Sequence, residues 1–570
     1  SIVDLERVEV LRGPQGTLWG KNTTGGAISM VTKGPADDFG FSQRFSVGNF
    51  GLKSSLTSVD TGENSGFSAK FTYLKSEEDG WATNTFAGAK EKDLGAKETD
   101  ALRIALQYET DKLKVNYTYD DTDGSAVSIP VQVSNVRPYF TDPTVPTRHM
   151  GTGVFYGGNV FALMAENEFT GGRQEIFELD QHGREYVKIS GHALNVEWDF
   201  AENHRLKSIT SSRKYSSDIP DGVDSDGGAY FGAELDATFQ PTGNFGPIPA
   251  FHFYNQKSQE QTSQEFQLLG NFMDGRLEYV AGYFYFSEEG QENNPWEIGI
   301  FTGQGANLLF DTPLEWGGFY KSTSDAKALF AQVNYDVNDK LNLSVGIRNT
   351  KDEKSITQLA EPDPMLRNDK FAKEDWSKTV GSIVANYVRD ENTTFYASIS
   401  QGYAAGIYNP GTVDRFAYLN PANMGEAIYD GSLIPGNPED TTAYEIGAKM
   451  FMLDDRLMLN TAVFLNDNTN LLVTVFDGTI QRALNSGESE TIGYEIDAQF
   501  AVTSDLSLSA SYGYRDTEYT LEEFTDLDTF SATFGLDWNI ADFEFGNMNL
   551  NINYVMNDDN QFNNNDPTLV

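Results

Sequence analysis

The fold is decided by residues 5–33: Leu5-Glu6-Arg7-Val8-Glu9-Val10-Leu11-Arg12-Gly13-Pro14-Gln15-Gly16-Thr17-Leu18-Trp19-Gly20-Lys21-Asn22-Thr23-Thr24-Gly25-Gly26-Ala27-Ile28-Ser29-Met30-Val31-Thr32-Lys33. Val8 and Val10, then Ile28 and Met30, occupy the strand-like positions of two short segments. The glycines between them supply the backbone freedom of a turn region. A glycine-rich loop ending in Lys21 invites a phosphate-loop reading, which fails on spacing. The motif Gly-x-x-x-x-Gly-Lys-Ser/Thr has one more residue between its glycines than Gly16 and Gly20 allow, and Asn22 stands where the hydroxyl belongs.

The stretch closely resembles the end of the plug domain of TonB-dependent outer-membrane receptors. That signature runs Glu-Arg-Val-Glu-Val-Leu-Arg-Gly-Pro-Gln-Gly-Thr-Leu-Tyr-Gly, then Gly-Gly-Ala-Ile-Asn-Ile-Val-Thr-Lys. Trp19 stands where Tyr is usual and Ser29 where Asn is usual. Further stretches share the resemblance: Ala328 to Tyr335 and on to Lys354, Gly402-Tyr403 with Tyr408-Asn409-Pro410, Tyr444-Glu445-Ile446-Gly447, and Gly493-Tyr494-Glu495-Ile496. It implies that residues 1–36 are the C-terminal part of a plug domain and residues 37–570 a transmembrane β-barrel with long extracellular loops. Gly34-Pro35-Ala36-Asp37-Asp38 is the turn between them.

Composition is compatible with such a barrel. Aromatics are 13% of the 570 residues and glycines number 53, while mean hydropathy is −0.44. There is no run of about 18 apolar residues to make a membrane helix, but a membrane β-barrel escapes that scan because its two faces alternate. Absence of cysteine excludes a disulfide framework and thiolate metal sites. Lys and Arg number 41 against 84 Asp and Glu, a net charge of −43, so nucleic acid and other polyanions are poor partners. The excess acid reads as a solubilising surface, with an acidic ligand funnel as the sharper alternative.

From Phe39 onward, alternation predicts strand after strand. Leu341, Leu343, Val345 and Ile347 share one face, opposed by Asn342, Ser344, Gly346 and Arg348. Residues 112–120, 506–515 and 547–554 alternate in the same way. These segments run to about ten residues, the length that spans an outer membrane at a tilt, where soluble strands average about five or six. Short polar turns recur, among them Met273-Asp274-Gly275-Arg276-Leu277 and Leu453-Asp454-Asp455-Arg456-Leu457. Between them fall long connections near residues 125–184, 218–257, 290–321, 353–375 and 405–438. Short turns at one rim and long loops at the other predict an all-β, antiparallel transmembrane barrel. About 19 strands can be counted, whereas the resemblance implies about 22, in the even-numbered pattern of bacterial barrels. The last strands, a signal sequence, the TonB-contacting box and most of the plug are therefore expected to lie outside this chain.

The five histidines show no zinc spacing, and no nucleophile elbow or thiol nucleophile is present. No enzymatic role and no bound cofactor are expected. Alternation turns Glu445 and Glu495 to the barrel interior, where acids need partners or water. The resemblance implies that such glutamates contact plug arginines, with Arg12 the first candidate partner and Arg7 the second. Arginine suits the task because its planar fork binds carboxylates and stays charged. The alternative is that both acids simply line a wet lumen. Among loop aromatics, Tyr156, Trp296, Trp316, Tyr403 and Tyr408 are candidate ligand contacts, with an aromatic girdle at the lipid interface as the competing account. Asp221, Asp224 and Asp226 resemble a calcium loop in composition but lack its bidentate glutamate, so a solvated acidic loop is favoured.

The resemblance implies TonB-dependent active transport across the outer membrane of a Gram-negative bacterium. A ferric siderophore or other iron complex is the first expectation for the ligand. A glycan, vitamin B12 or another large organic nutrient is the alternative. The implied partners are TonB with its inner-membrane energising complex, outer-membrane lipids, lipopolysaccharide and a small-molecule ligand. A passive porin or an adhesion barrel is the reading from another class, disfavoured by the plug-like segment.

Overall fold

The computed structural model describes residues 4–130, 173–179, 182–224, 232–235, 241–246, 251–298, 314–359, 370–408, 413–414, 428–429, 433–477, 480–520, 527–543 and 546–557. Near the start, β1 (Leu5–Arg12) pairs antiparallel with β2 (Gly26–Thr32), with Val8 opposite Met30 and Val10 opposite Ile28. A single helical turn, α1 (Gly16–Trp19), lies in the connection.

The rest of the chain builds one antiparallel sheet of 19 strands. It begins with β3 (Phe39–Val47), β4 (Lys53–Thr61), β5 (Phe67–Glu78), β6 (Lys97–Glu109) and β7 (Leu113–Val127). It continues through β8 (Arg184–Ala201), β9 (His204–Asp224), β10 (Phe251–Phe272), β11 (Leu277–Ile298), β12 (Leu314–Asn338), β13 (Leu341–Gln358) and β14 (Lys370–Asp390). It ends with β15 (Thr393–Ala404), β16 (Glu439–Met452), β17 (Leu457–Thr469), β18 (Glu488–Ala501), β19 (Leu506–Tyr519), β20 (Leu527–Phe543) and β21 (Gly546–Asn557). Each strand pairs with the next, so the ladder satisfies the backbone polar groups without water. Among the described residues β3 and β21 pair on one side only. The sheet curls into a barrel wall around the β1–β2 hairpin, which touches β5, β13 and β18 at once.

The two faces of the wall differ as the alternation predicts. On β12, Leu329 is 66% exposed while its neighbours Ala328 and Phe330 are buried at 2% and 5%. Outward positions such as Ile347, Ile383, Ile446 and Val463 present apolar side chains away from the lumen. Many inward positions, among them Ala328, Ser344, Arg348, Thr350 and Asp352, are small or polar, with the rings of Phe284, Phe286 and Phe330 between them. In length the strands exceed the expectation of about ten residues: β8 to β14 span 18 to 25. The ends of these strands run into stretches read as loops. On β9 the outward row after Leu206 is Ser208, Thr210, Ser212, Lys214 and Ser216, so polarity on both faces erases the contrast that marks a strand in sequence.

Two of the self-similar turns share a device. Met273-Asp274-Gly275 and Leu453-Asp454-Asp455 each place three successive residues at positive φ. The arginine that follows reaches the neighbouring turn: Arg276 donates to the carbonyls of Asp336 and Val337 at 2.9 and 3.0 Å, and Arg456 to those of Ala501 and Val502 at 3.0 and 2.8 Å.

Ile347→Arg, placed on the outward apolar face, is expected to destabilise the barrel by about 2–4 kcal/mol. Inward Ser344→Lys loses a hydrogen bond to Asn334 and is expected to cost about 1 kcal/mol. Denaturant unfolding in lipid vesicles checks the difference.

Candidate functional site

The hairpin is held to the wall at three separated places. At its open end, Asp4 meets Lys70 of β5 at 2.9 Å, and Lys70 also meets Asp60 of β4 at 3.4 Å. Asp60 accepts the backbone N–H of Ala36 at 2.9 Å. Arg103 of β6 donates to the carbonyl of Lys33 at 3.0 Å and to the Thr32 hydroxyl at 2.7 Å. Asp60, Lys70 and Arg103 are buried, so these charges are compensated by one another rather than by water.

At the other end of β1, Arg12 binds Glu495 of β18 and lies 3.3 Å from Asp497 on the same strand. The arginine side chain is 60% exposed, and exposed ion pairs are worth about 0–1 kcal/mol. Glu445 is not in this contact: it accepts the Tyr396 hydroxyl at 2.5 Å. Arg7 is turned to Glu9 and Glu6 of its own strand at 2.6 and 3.0 Å. The expectation that Arg7 meets a barrel acid is thereby corrected. Successive residues of β1 face opposite ways, and Arg7 has acids within reach on its own segment. Asp497, two residues after Glu495 and so on the same face of β18, is a further acid beside Arg12.

The third place is the connection 13–23, which docks on β12 to β15 by close backbone approach. A Cβ on Gly16 would lie 2.5 Å from the Gln401 carbonyl and 3.1 Å from Val380 Cγ2. A Cβ on Gly402 would lie 3.1 Å from Pro14 Cβ. The Thr17 hydroxyl bonds Ser382 at 3.1 Å. Lys21 meets Asp352 at 2.9 Å and lies over the Phe286 ring, 5.2 Å from its centre. Arg348, buried, sits 5.3 and 5.2 Å from the ring centres of Phe284 and Phe330, with the Leu18 carbonyl 3.5 Å from its Nη1.

Tyr403 is fully buried here, its hydroxyl donating to Asp352 at 2.8 Å. The expectation that it is a ligand contact is corrected: its hydroxyl is taken by Asp352 and its carbonyl by the Asn22 N–H of the hairpin connection at 2.8 Å. Tyr408 is half-buried in a two-residue pairing with Pro435. Trp296 and Trp316 are direct register partners on β11 and β12, and Phe253 of β10 is opposite Trp296. Tyr156 and Asp226 lie outside the described residues. Asp221 is engaged by Lys90, and Asp224 ends β9 opposite His252. Among the described residues no group of three or more acids or histidines could hold a metal ion.

Over one rim, Ala82–Asn84, Asp93–Leu94 and Ile176–Phe177 form a small three-stranded sheet. It buries Ala82, Leu94, Val127, Phe177 and Leu179. Arg184 clasps Glu91 at 3.0 and 3.3 Å. His182 is buried beside it, with Nε2 2.6 Å from the Ser128 carbonyl. Burial lowers the pKa of His182 below its ordinary value, partly opposed by that carbonyl and by Glu91.

A hairpin lodged in a lumen and tied to its wall defines a plugged membrane barrel. A family model described as TonB dependent receptor-like, beta-barrel, matches residues 132–569, and the chain belongs to that family. It is 25% identical over 201 residues to the probable TonB-dependent siderophore receptor PiuA of Acinetobacter baumannii, covering 35% of this chain and 25% of that protein. It is 21% identical over 540 residues to the ferrichrome outer membrane transporter/phage receptor of Escherichia coli K12, covering 91% of this chain and 63% of that protein. The chain thus spans less than two thirds of the length of these curated relatives. In structure it resembles the ferric yersiniabactin uptake receptor FyuA of Yersinia pestis, with a TM-score of 0.71 and 16% identity over 97% of this chain and 74% of that one.

Gly16→Ala is expected to lift the 13–23 connection from the wall and raise its cleavage rate by a soluble protease at least about tenfold, as a forced clash does. Arg12→Ala is expected to raise it less than about fivefold, given the worth of an exposed pair. For His182, the lowered native pKa means that its share of rim stability is complete above 6.5 and is lost as pH falls from there to the native value. Amide hydrogen exchange at residues 82–94 between pH 7.5 and 5 should therefore accelerate, and His182→Gln should flatten that dependence.

Proposed function

We propose that this protein takes up a ferric siderophore or another iron complex by TonB-dependent active transport across the outer membrane of a Gram-negative bacterium. The observation that carries the reading is the hairpin tied inside a barrel by ion pairs with β5, β13 and β18. Polar ties of this kind hold an obstruction in place at rest. They can exchange for water when the segment is pulled, at little cost where the pair is exposed and at a larger one where it is buried.

On this reading residues 1–36 are the last part of a plug and residues 37–570 the barrel with its extracellular loops. Arg12 with Glu495 and Asp497 forms a latch at the lumen surface, and Glu445 with Tyr396 extends the polar lining beside it. TonB, with its inner-membrane energising complex, supplies the pull. The outward apolar face meets outer-membrane lipid, and the polar outer ends of the long strands meet the lipopolysaccharide layer. The ligand class follows the relatives, among them a probable siderophore receptor and a ferrichrome transporter. Trp296 and Trp316, register partners on β11 and β12, are the proposed aromatic contacts of the ligand. The iron is cargo, and no bond of the ligand is made or broken.

The test is growth of a deletion strain on single nutrient sources with iron limitation as one arm, beside a TonB-defective control. A defect confined to iron limitation, relieved by soluble iron and shared by the TonB mutant, is the expected result. A defect on a carbon source replaces the ligand. A defect independent of TonB overturns the transport mechanism.

A further inference from the structure

The ties differ in the water they see, and that difference identifies the contact that resists displacement of the 13–23 connection. Arg12 meets its acids with most of its side chain in solvent. Asp352 is only 2% exposed and its partner Lys21 19%. Both carboxylate oxygens of Asp352 are used, one by the Lys21 ammonium at 2.9 Å and the other by the Tyr403 hydroxyl at 2.8 Å. The main chain adds a clasp at the same point. Asn22 donates its backbone N–H to the Tyr403 carbonyl at 2.8 Å, and its side-chain oxygen accepts the N–H of Ala405 at 3.0 Å. Asn22 adopts a φ of +62° to do so, a conformation that asparagine tolerates better than most residues. Neighbouring Arg348 and Lys354 are on the same inward row of β13, so removing the carboxylate would leave cations facing cations.

We propose that Asp352 and Tyr403 are positioning residues of the transport cycle: the Lys21–Asp352–Tyr403 contact is the release point of the 13–23 connection, and it must break before a passage opens along the β12–β15 wall. The inference rests on the transport reading above. Breaking a buried pair strands a charge in a low-dielectric pocket, whereas the exposed Arg12 pair exchanges for water at little cost. The ladder β12 to β15 itself need not change. Only the side chains and the clasp at Asn22 have to let go, because α1 lies against Gly346 and Gly402 of the wall and, among the described residues, its side chains make one hydrogen bond there, Thr17 to Ser382.

The experiment uses the full receptor in the outer membrane of a TonB-deficient strain and measures entry of a bulky hydrophilic antibiotic. Asp352→Asn and Tyr403→Phe are each expected to raise entry about tenfold, and Arg12→Ala less than about twofold, following the difference between buried and exposed pairs. Asp352→Glu should restore low entry. The chain has no cysteine, so Thr17→Cys with Ser382→Cys introduces a single pair at positions whose hydroxyls lie 3.1 Å apart. Oxidation of that pair in the Asp352→Asn background should abolish the added entry, and a reductant should return it. Heat-modifiable gel mobility reports whether each variant holds a folded barrel, and Tyr403→Phe, nearly isosteric, carries the test if Asp352→Asn does not fold. Folded variants with unchanged entry, a larger effect from Arg12→Ala, or entry indifferent to the disulfide would each overturn the proposal. Wild-type receptor that supports no iron uptake, with the leak pattern intact, would instead sink the transport reading and leave the release point standing.

Discussion

A strand in hydrocarbon has no water to satisfy its N–H and C=O groups, so each must be bonded to a neighbouring strand. That requirement produces the continuous ladder from β3 to β21, and the ladder dictates the rest. Period-two alternation then assigns every second residue to lipid and the others to the lumen. Leu329 and Ile347 go out; Arg348 and Asp352 go in. An interior in which charged and polar groups stand between the aromatic rings cannot be filled by apolar packing alone. Whatever occupies it must be bound through glycine-mediated backbone approach, hydrogen bonds and ion pairs, and those are the contacts that hold the β1–β2 hairpin.

The three attachments are graded rather than equivalent. The Asp4–Lys70–Asp60 group with Arg103 is buried near the junction where the hairpin runs into β3, and it joins the hairpin to β4, β5 and β6. The Lys21–Asp352 pair is buried but joins segments far apart in sequence. The Arg12 pair is wet. Burial raises both the strength of a charge pair and the penalty for separating its members, so the wall opposes motion of the hairpin unevenly around its circumference. The same burial explains why Tyr403, an apparent mouth residue, does structural service: its hydroxyl supplies the second hydrogen bond that a sequestered carboxylate requires.

Fold class was legible because alternation is strongest where a strand crosses lipid, as in 341–348 and 547–554. It faded at the outer ends of β8 to β14, where both faces are wetted, and the strands there prove twice as long as their apolar cores. Arg12 and Glu495 could be paired from the family-like motif and the parity of β18. Glu445, expected in the same contact, instead meets Tyr396, because parity places it inward but only the curvature of the wall decides which acids lie near Arg12. Lys21–Asp352 left no trace in the sequence, because no motif or residue parity ties the 13–23 connection to one particular strand of the wall.

The sequence alone therefore determined the all-β class, the inward or outward direction of most side chains, and the presence of a hairpin built to sit against another backbone. These are local matters, set by residue parity, glycine placement and turn chemistry. Tertiary structure decided which wall the hairpin leans on, which acids meet which cations, and which pairs are dry. Those depend on how a sheet of 19 strands curls. Curling brings β5, β13 and β18 around one hairpin, and no local pattern encodes distance across a lumen.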